Sequence, residues 1–445
     1  MSDIHYIHPS IFTGTVQDPV PDPLPTATSL SQWGVTWNFS TAKEYGQFTN
    51  GDYWVLGSTT INTITPASTS GSRIKNGSEV NPTAGATQQG YDNTMPANAY
   101  IGGRNVGLNL SAGSPLVLDP STGIKSLVSS ISQASAASTP QIKTCAVLTV
   151  LATQPADDAF RPPYSGYAGK TVDYAFSDVD TGMLQAVTPS AGAPSWASIE
   201  AKIERCWLDS SPNWMGSYMH PADNMEHYAR DMSTDISIVS LMLNSDYTIA
   251  QKTPTLKGLI QYGIDSYGIT LAGGATSNWP ANGGHNSSRK WPCLFAGIIM
   301  TKQELIDRAG IHPSAGPVWW GEDMQVFYVA ETSPSVYNFG YGGYGAGDVG
   351  LAEWGSAHWN TAQWDNKTWF LPTGPTQYRV CCTMFGWLGF ILAARMLTGA
   401  KTEWAHPAMF DYAIRFAGRQ GGDFRCSNDW MEAMWDAHTG TFPGT

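Results

Sequence analysis

At 278–300 the chain reads NWPANGGHNSSRKWPCLFAGIIM, which sets an imidazole, His285, shortly before a guanidinium, Arg289, and an ammonium, Lys290. Histidine moves protons near neutral pH, and the two cations can hold an anion such as a carboxylate. Trp279 and Trp291 flank the charged residues, as a site that stacks a sugar ring would require. The second half of the stretch is an apolar run and predicts a buried helix. A polar Gly/Asn/Ser loop at the mouth of a rigid element is where catalytic groups are commonly mounted. The same residues also fit a capped surface loop ahead of a core helix.

Three other segments carry chemistry-bearing residues. In MHPADNMEHYARDMSTDIS, at 219–237, Asp223 or Asn224 can cap a helix on which His227, Arg230, Asp231 and Asp235 fall at spacings of three and four. One face then presents an imidazole, a guanidinium and carboxylates, which suits either a cleft or a solvated ion-pair face. In YNFGYGGYGAGDVGLAEWGSAHW, at 337–359, Tyr337, Tyr341 and Tyr344 sit in a Gly-rich loop, followed by Asp348, Glu353 and His358. Glycine lets such a loop bring a phenol close to a ligand. Tyr378 and Arg379 open the apolar run RVCCTMFGWLGF, where the arginine can meet a substrate or bridge structural carboxylates. Nearer the N-terminus, Asn76, Glu79, Asn81, Gln89, Tyr91 and Asp92 offer hydrogen-bonding groups for sugar hydroxyls, and are equally typical of turns.

The elements that must position these groups follow from periodicity. Residues 1–32, rich in Pro, Ser and Thr, predict an extended arm. Between 33 and 155, runs such as TWNF, DYWVLG, TTINTIT and KTCAVLTVL alternate or are β-branched, and predict a β-rich region. From 156 to 445 apolar residues recur every three or four positions in segments at 198–208, 224–243, 254–267, 289–309, 324–330, 377–397 and 407–417. Helices in one run with long Gly/Pro/Trp-rich connections predict a mainly α catalytic domain, an (α/α) toroid or incomplete toroid, with the β-rich region packed on it.

Composition narrows the function. Charged residues are only 13% of the chain, and 24 Lys and Arg against 36 Asp and Glu give a net charge of −12, which excludes a nucleic-acid binder. The 18 Trp and 19 Tyr suit a carbohydrate-facing protein. None of the six cysteines forms a CxxC pair, so a zinc cluster is not expected. Several lie in apolar runs and are expected as buried thiols, with room for one or two bridges. The N-terminal residues show no secretory signal. The apolar stretch at 380–397, broken by Thr383, Gly386, Gly389 and Arg395, reads as a buried helix and not a membrane span.

The runs WNFSTAKEYGQFTNGDYWVLG, GIDSYGI, NWPANGGHNSSRKWPCLFAGIIM and the Tyr–Gly loop resemble those of secreted (α/α)-toroid polysaccharide lyases that cleave alginate or glucuronan. The resemblance implies β-elimination from a uronic-acid polymer, by an extracellular or periplasmic monomer with no cofactor. It makes Tyr341 the catalytic phenol, with Tyr344 its rival, and His227 and His285 the paired histidines. The family's arginine before the tyrosine loop is absent, and Arg289 or Arg379 takes its place. Asn224, Trp279, Asn282, Asn286, Lys290 and Glu353 then become substrate contacts, joined by Glu79 and Tyr91. Two alternatives stand beside it. A glycoside hydrolase would pair Asp231 or Asp348 with Glu353 across the scissile bond. A non-catalytic glycan-binding or virion-surface protein would need neither pair.

Overall fold

The computed structural model describes residues 23–69, 71, 73–83, 88–93, 100–133, 142–210, 229–272, 279, 283–284, 286–311, 320–329, 346–355, 379–419 and 425–442, with the backbone alone at 229, 230, 379, 381 and 419. The first part is an eight-stranded sheet. Its strands are β1 (Thr26–Gln32), β2 (Val35–Gln47), β3 (Tyr53–Leu56), β4 (Thr59–Thr65), β5 (Ser78–Val80), β6 (Leu116–Leu118), β7 (Lys125–Ser132) and β8 (Ile142–Leu151). The order is β5-β7-β8-β3-β2-β4-β6, with β1 added to β2. Only β3 and β8 pair in parallel, and every other pairing is antiparallel. Thr26–Gln32, expected within the arm, is thus a strand. A two-residue turn at Trp33 and Gly34, both at positive φ, closes the β1–β2 hairpin in the twist such turns favour.

Strand β8 explains how the sheet sits. Cys145 and Val147 point into the large core shared with the helices, whereas Ala146, Leu148 and Val150 point into a second core with Val35, Trp37, Phe39, Val55 and Ile61. Both faces are dry, so a one-residue slip would exchange the two sets and misplace every side chain. Burying each such Val or Leu contributes about 1.5–3 kcal/mol, which pins the register.

Nine α-helices follow among the described residues: α1 (Trp196–Ile203), α2 (Ala229–Leu243), α3 (Ile249–Ala272), α4 (Lys290–Ile299), α5 (Gln303–Ala309), α6 (Phe385–Met396), α7 (Ala400–Glu403), α8 (Pro407–Arg419) and α9 (Asp429–His438). Helices α3 and α4 pack so closely that a Cβ on Gly263 would lie 2.2 Å from the Pro292 carbonyl oxygen. Arg161, fully buried, ties the sheet to α3: it donates to Asp52 ahead of β3 at 2.5 Å and to both oxygens of Asp265 at 2.9 and 2.6 Å.

The expected mainly α toroid does not form. The protein is a mixed α/β structure in which the curled sheet is a full layer of the main core, with Val128, Ile142, Cys145 and Val147 packed in one cluster with residues of the helices. Helical periodicity was real, but it reports only that a face is buried, not whether another helix or a sheet buries it. Two local expectations also change. The segment read as one helix at 289–309 breaks at Thr301, where φ is 54°. The 324–330 segment is instead a 3-10 turn, Asp323–Gln325, and strand β9 (Val326–Tyr328), paired with β10 (Ala352–Trp354). Its VFYV run is β-branched and aromatic, and edge pairing prevailed over helical spacing. Cys145 and Cys293, in their apolar runs, are buried free thiols as expected, and so are Cys206 and Cys426, whereas Cys382, in a third such run, is disulfide-bonded.

Candidate functional site

The loop that leads into α4 ends in a buried ionic network. Arg289 is fully buried, and its fork donates to both oxygens of Asp209, at 2.9 and 2.8 Å, while Nη1 donates to the Ser287 carbonyl at 2.6 Å. The Tyr262 hydroxyl, from α3, donates to the same carboxylate at 2.9 Å. Burial alone would lower the arginine pKa, but Asp209 more than reverses this and raises it. The next residue is held as firmly. Lys290 Nζ bonds Asp323 and donates to the Trp404 carbonyl at 2.6 Å, and Trp404 Nε1 donates to Asp323 at 2.8 Å. Burial outweighs Asp323 here and lowers the lysine pKa. Two adjacent cations are thus each paired with one acid, a bidentate fork for Arg289 and a point contact for Lys290.

Helix α2 is stitched to this loop by a stripe of serines. Ser233 Oγ bonds Ser287 and Ser288, Ser237 Oγ donates to the Gly386 carbonyl at 2.8 Å, and Ser240 Oγ accepts from Trp291 Nε1 at 2.7 Å. Thr234 bonds Ser427 at 2.5 Å, and the Ser427 amide donates to the Phe385 carbonyl. Ser233 and Thr234 thus bring the described start of α2 against the residues that lead into α4 and α9, while Ser237 and Ser240 tie its middle and later turns to α6 and α4. The described N-terminus of α4 carries unsatisfied N–H groups and a partial positive charge.

The predicted site residues fall into separate places. Trp279 is fully buried and stacks on Trp320 with ring centroids 5.3 Å apart, so its face is taken by another indole. Asn286 is buried beneath the loop. The backbone of Arg379 opens a π-helical turn, Arg379–Met384, that runs into α6. Glu353 lies on β10, buried, and pairs with Arg415 of α8. Asp348 stands in a 3-10 turn before β10, and Asp231 in the first turn of α2.

Glu79 and Tyr91 belong to the sheet. Glu79 accepts from Arg104 at 3.0 Å and from the Gly90 amide at 2.6 Å, and burial raises its pKa despite Arg104. Tyr91 is buried, and burial, reinforced by Glu79, raises its pKa well above the usual value. His227, His285, Tyr341, Tyr344, Asn224 and Asn282 lie outside the described residues. The structure therefore brings Ser287, Ser288 and Arg289 against Met232 and Ser233 of α2, while Lys290 is turned to Asp323 and Trp404. It holds Glu79 with Arg104, and Glu353 with Arg415, in networks of their own.

Asp209 and Glu322 are the members that sequence reading missed. Asp209 sits in WLDSS, 80 positions from its arginine, and no local spacing announces that pairing. Glu322 sits in WWGEDM, where an acidic pair between aromatic and apolar residues was the available signal. Among the described residues no group of three or more His, Cys, Asp or Glu could hold a metal ion. No helix of the described residues is long and apolar enough to cross a membrane.

Comparison with known protein families, curated proteins and solved structures finds no match for the chain. With the sheet a full layer of the fold, this overturns the resemblance to toroid lyases: neither a relative nor the architecture supports membership of that family.

Proposed function

We propose that the protein is a polysaccharide-degrading enzyme that cleaves a uronic-acid polymer by β-elimination. The site lies where the described start of α2 meets the loop that leads into α4. One observation carries this reading. Ser233, six positions after His227, bonds Ser288, three positions after His285, so the two histidine-bearing stretches enter the described structure side by side.

The chemistry asks for such a pair. The proton beside a uronate carboxylate is weakly acidic, and removal requires that the charge developing on the carboxylate be stabilised. Two imidazoles supply donors for it, and the N-terminus of α4 adds partial positive charge. Tyr341, or Tyr344 as its rival, takes the proton and returns one to the departing oxygen. Arg289 has a different part here from that of a substrate contact. Its guanidinium is spent on Asp209, and its service is to anchor the loop. Arg379 remains the arginine for the carboxylate. A polymeric substrate of this kind places the working enzyme outside the cytoplasm, extracellular or periplasmic.

The test is a digest of alginate, polymannuronate, polyguluronate, glucuronan, hyaluronan and neutral glucans, read by ultraviolet absorbance and reducing ends together. Elimination raises both, because each cut leaves a conjugated double bond. Reducing ends without absorbance mean hydrolysis, and silence in both channels refutes the proposal for these polymers.

A further inference from the structure

Both carboxyl oxygens of Glu322 are buried, and neither has a hydrogen-bond partner among the described residues. The side chain caps nothing, although Glu322 stands at the N-cap of the Asp323–Gln325 turn. The neighbouring cations are committed elsewhere, Lys290 to Asp323 and Arg289 to Asp209. An ionised carboxylate with no paired cation and no well-formed hydrogen bond is strongly unfavourable in a dry interior. A proton is the counter-charge that needs no added space. Burial pushes this acid up to about 7, and Asp323 pushes the same way, while its own backbone amide, Lys290 and Arg289 pull back more weakly. Among the described residues Tyr262, which hydrogen-bonds Asp209, is the remaining titratable neighbour and feels the Glu322 charge.

The turn that carries Glu322 lies directly on the loop before α4. A Cβ on Gly321 would come within 2.6 Å of the Asn286 carbonyl oxygen. Gln325 Nε2 donates to the carbonyls of Gly283, at 2.8 Å, and Gly321, at 2.7 Å. Trp320 stacks on Trp279. The turn thus grips the backbone at Gly283 and at Asn286, which bracket His285 in the sequence. In a 3-10 turn residues three apart share a face, which puts Glu322 and Gln325 on the same side.

We propose that Glu322 is a positioning residue, a neutral carboxylic acid whose proton keeps the 320–325 turn closed on Gly283 and Asn286. Its relevance to catalysis rests on the reading of this loop as part of the polysaccharide site. When Glu322 releases its proton to solvent, the carboxylate must be hydrated, and the turn has to part from the loop to admit water. The grip therefore loosens as pH rises through neutrality.

The experiment is amide hydrogen exchange at Gly283, Gly284 and Asn286–Ser288, compared at each pH between wild type, Glu322→Gln and Glu322→Met. The comparison at equal pH removes the chemical acceleration of exchange by base. Wild type and variants should match in acid. Above neutrality the wild-type loop should exchange on the order of tenfold faster, the factor that one pKa unit of coupling represents. Parallel behaviour across the pH range overturns the proposal, and Glu322→Met decides it if Glu322→Gln fails to fold. If a polymer is cleaved, Glu322→Gln should also carry the alkaline limb of kcat/KM to higher pH. If none is cleaved, the exchange data still stand, and only the reading of the chemistry falls.

Discussion

Replacing Arg289 by alanine separates an anchor from a substrate contact. The guanidinium makes two charged bonds to Asp209 and one to the Ser287 carbonyl, with neither side chain of the pair exposed. Its removal leaves a buried carboxylate with only the Tyr262 hydroxyl as a side-chain donor. Breaking a buried pair by deleting one partner costs about 3–5 kcal/mol, far above the roughly 0–1 kcal/mol of an exposed pair. Arg289→Ala should therefore lose about 3–5 kcal/mol in denaturant unfolding. The double variant Asp209→Leu with Arg289→Met should recover much of that loss. About 1–3 kcal/mol should remain, because the Tyr262 hydroxyl then lacks its acceptor. Arg289→Lys should rescue poorly, since an ammonium cannot span both oxygens of Asp209. A loss below about 1 kcal/mol for Arg289→Ala, paired with a raised KM on any cleaved polymer, would refute the reasoning and return Arg289 to the substrate.

Three further outcomes are expected. Tyr341→Phe should abolish turnover while thermal unfolding is unchanged, and retained activity would move the base to Tyr344. Glu322 should make stability fall with pH. Its folded pKa of about 7 lies above its ordinary 4.5, so the unfolded chain releases the proton first and the native state is disfavoured between those values. The gap corresponds to about 3 kcal/mol, lost by wild type but not by Glu322→Gln, and unfolding free energies at either end of that window check it. In denaturant, alkylation should label Cys145, Cys206, Cys293 and Cys426 at once, and Cys382 only after reductant is added, as peptide mass mapping will read.

How far the fold can be read without coordinates depends on which residues are asked. The alternation in CAVLTVL marks β8, and the apolar run after Lys290 marks α4, because each burial pattern is local. What covers those faces is not local. Cys145 and Val147 meet helices that begin about fifty positions later, and nothing in their own neighbourhood distinguishes that from a sheet-on-sheet contact. Hence the β-rich region was legible as strands but not as a full layer of the core, and the toroid followed from counting helices alone.

The same division governs the site. A loop with His285, Arg289 and Lys290 is visible as a cluster of chemical types, and the gathering of α2 and α4 confirms none of their roles but does place the two cations. Their burial depends on Asp209 and Asp323, which lie 80 and 33 positions away, beyond the reach of any local spacing. Charge-bearing types at a loop therefore say that an electrostatic problem is being solved there. Whether the solution is a substrate or an internal partner is decided by acids elsewhere in the sequence. For Arg289 and Lys290 the partners are internal. For Glu322, the acid left over from that pairing, the proton is the partner that remains.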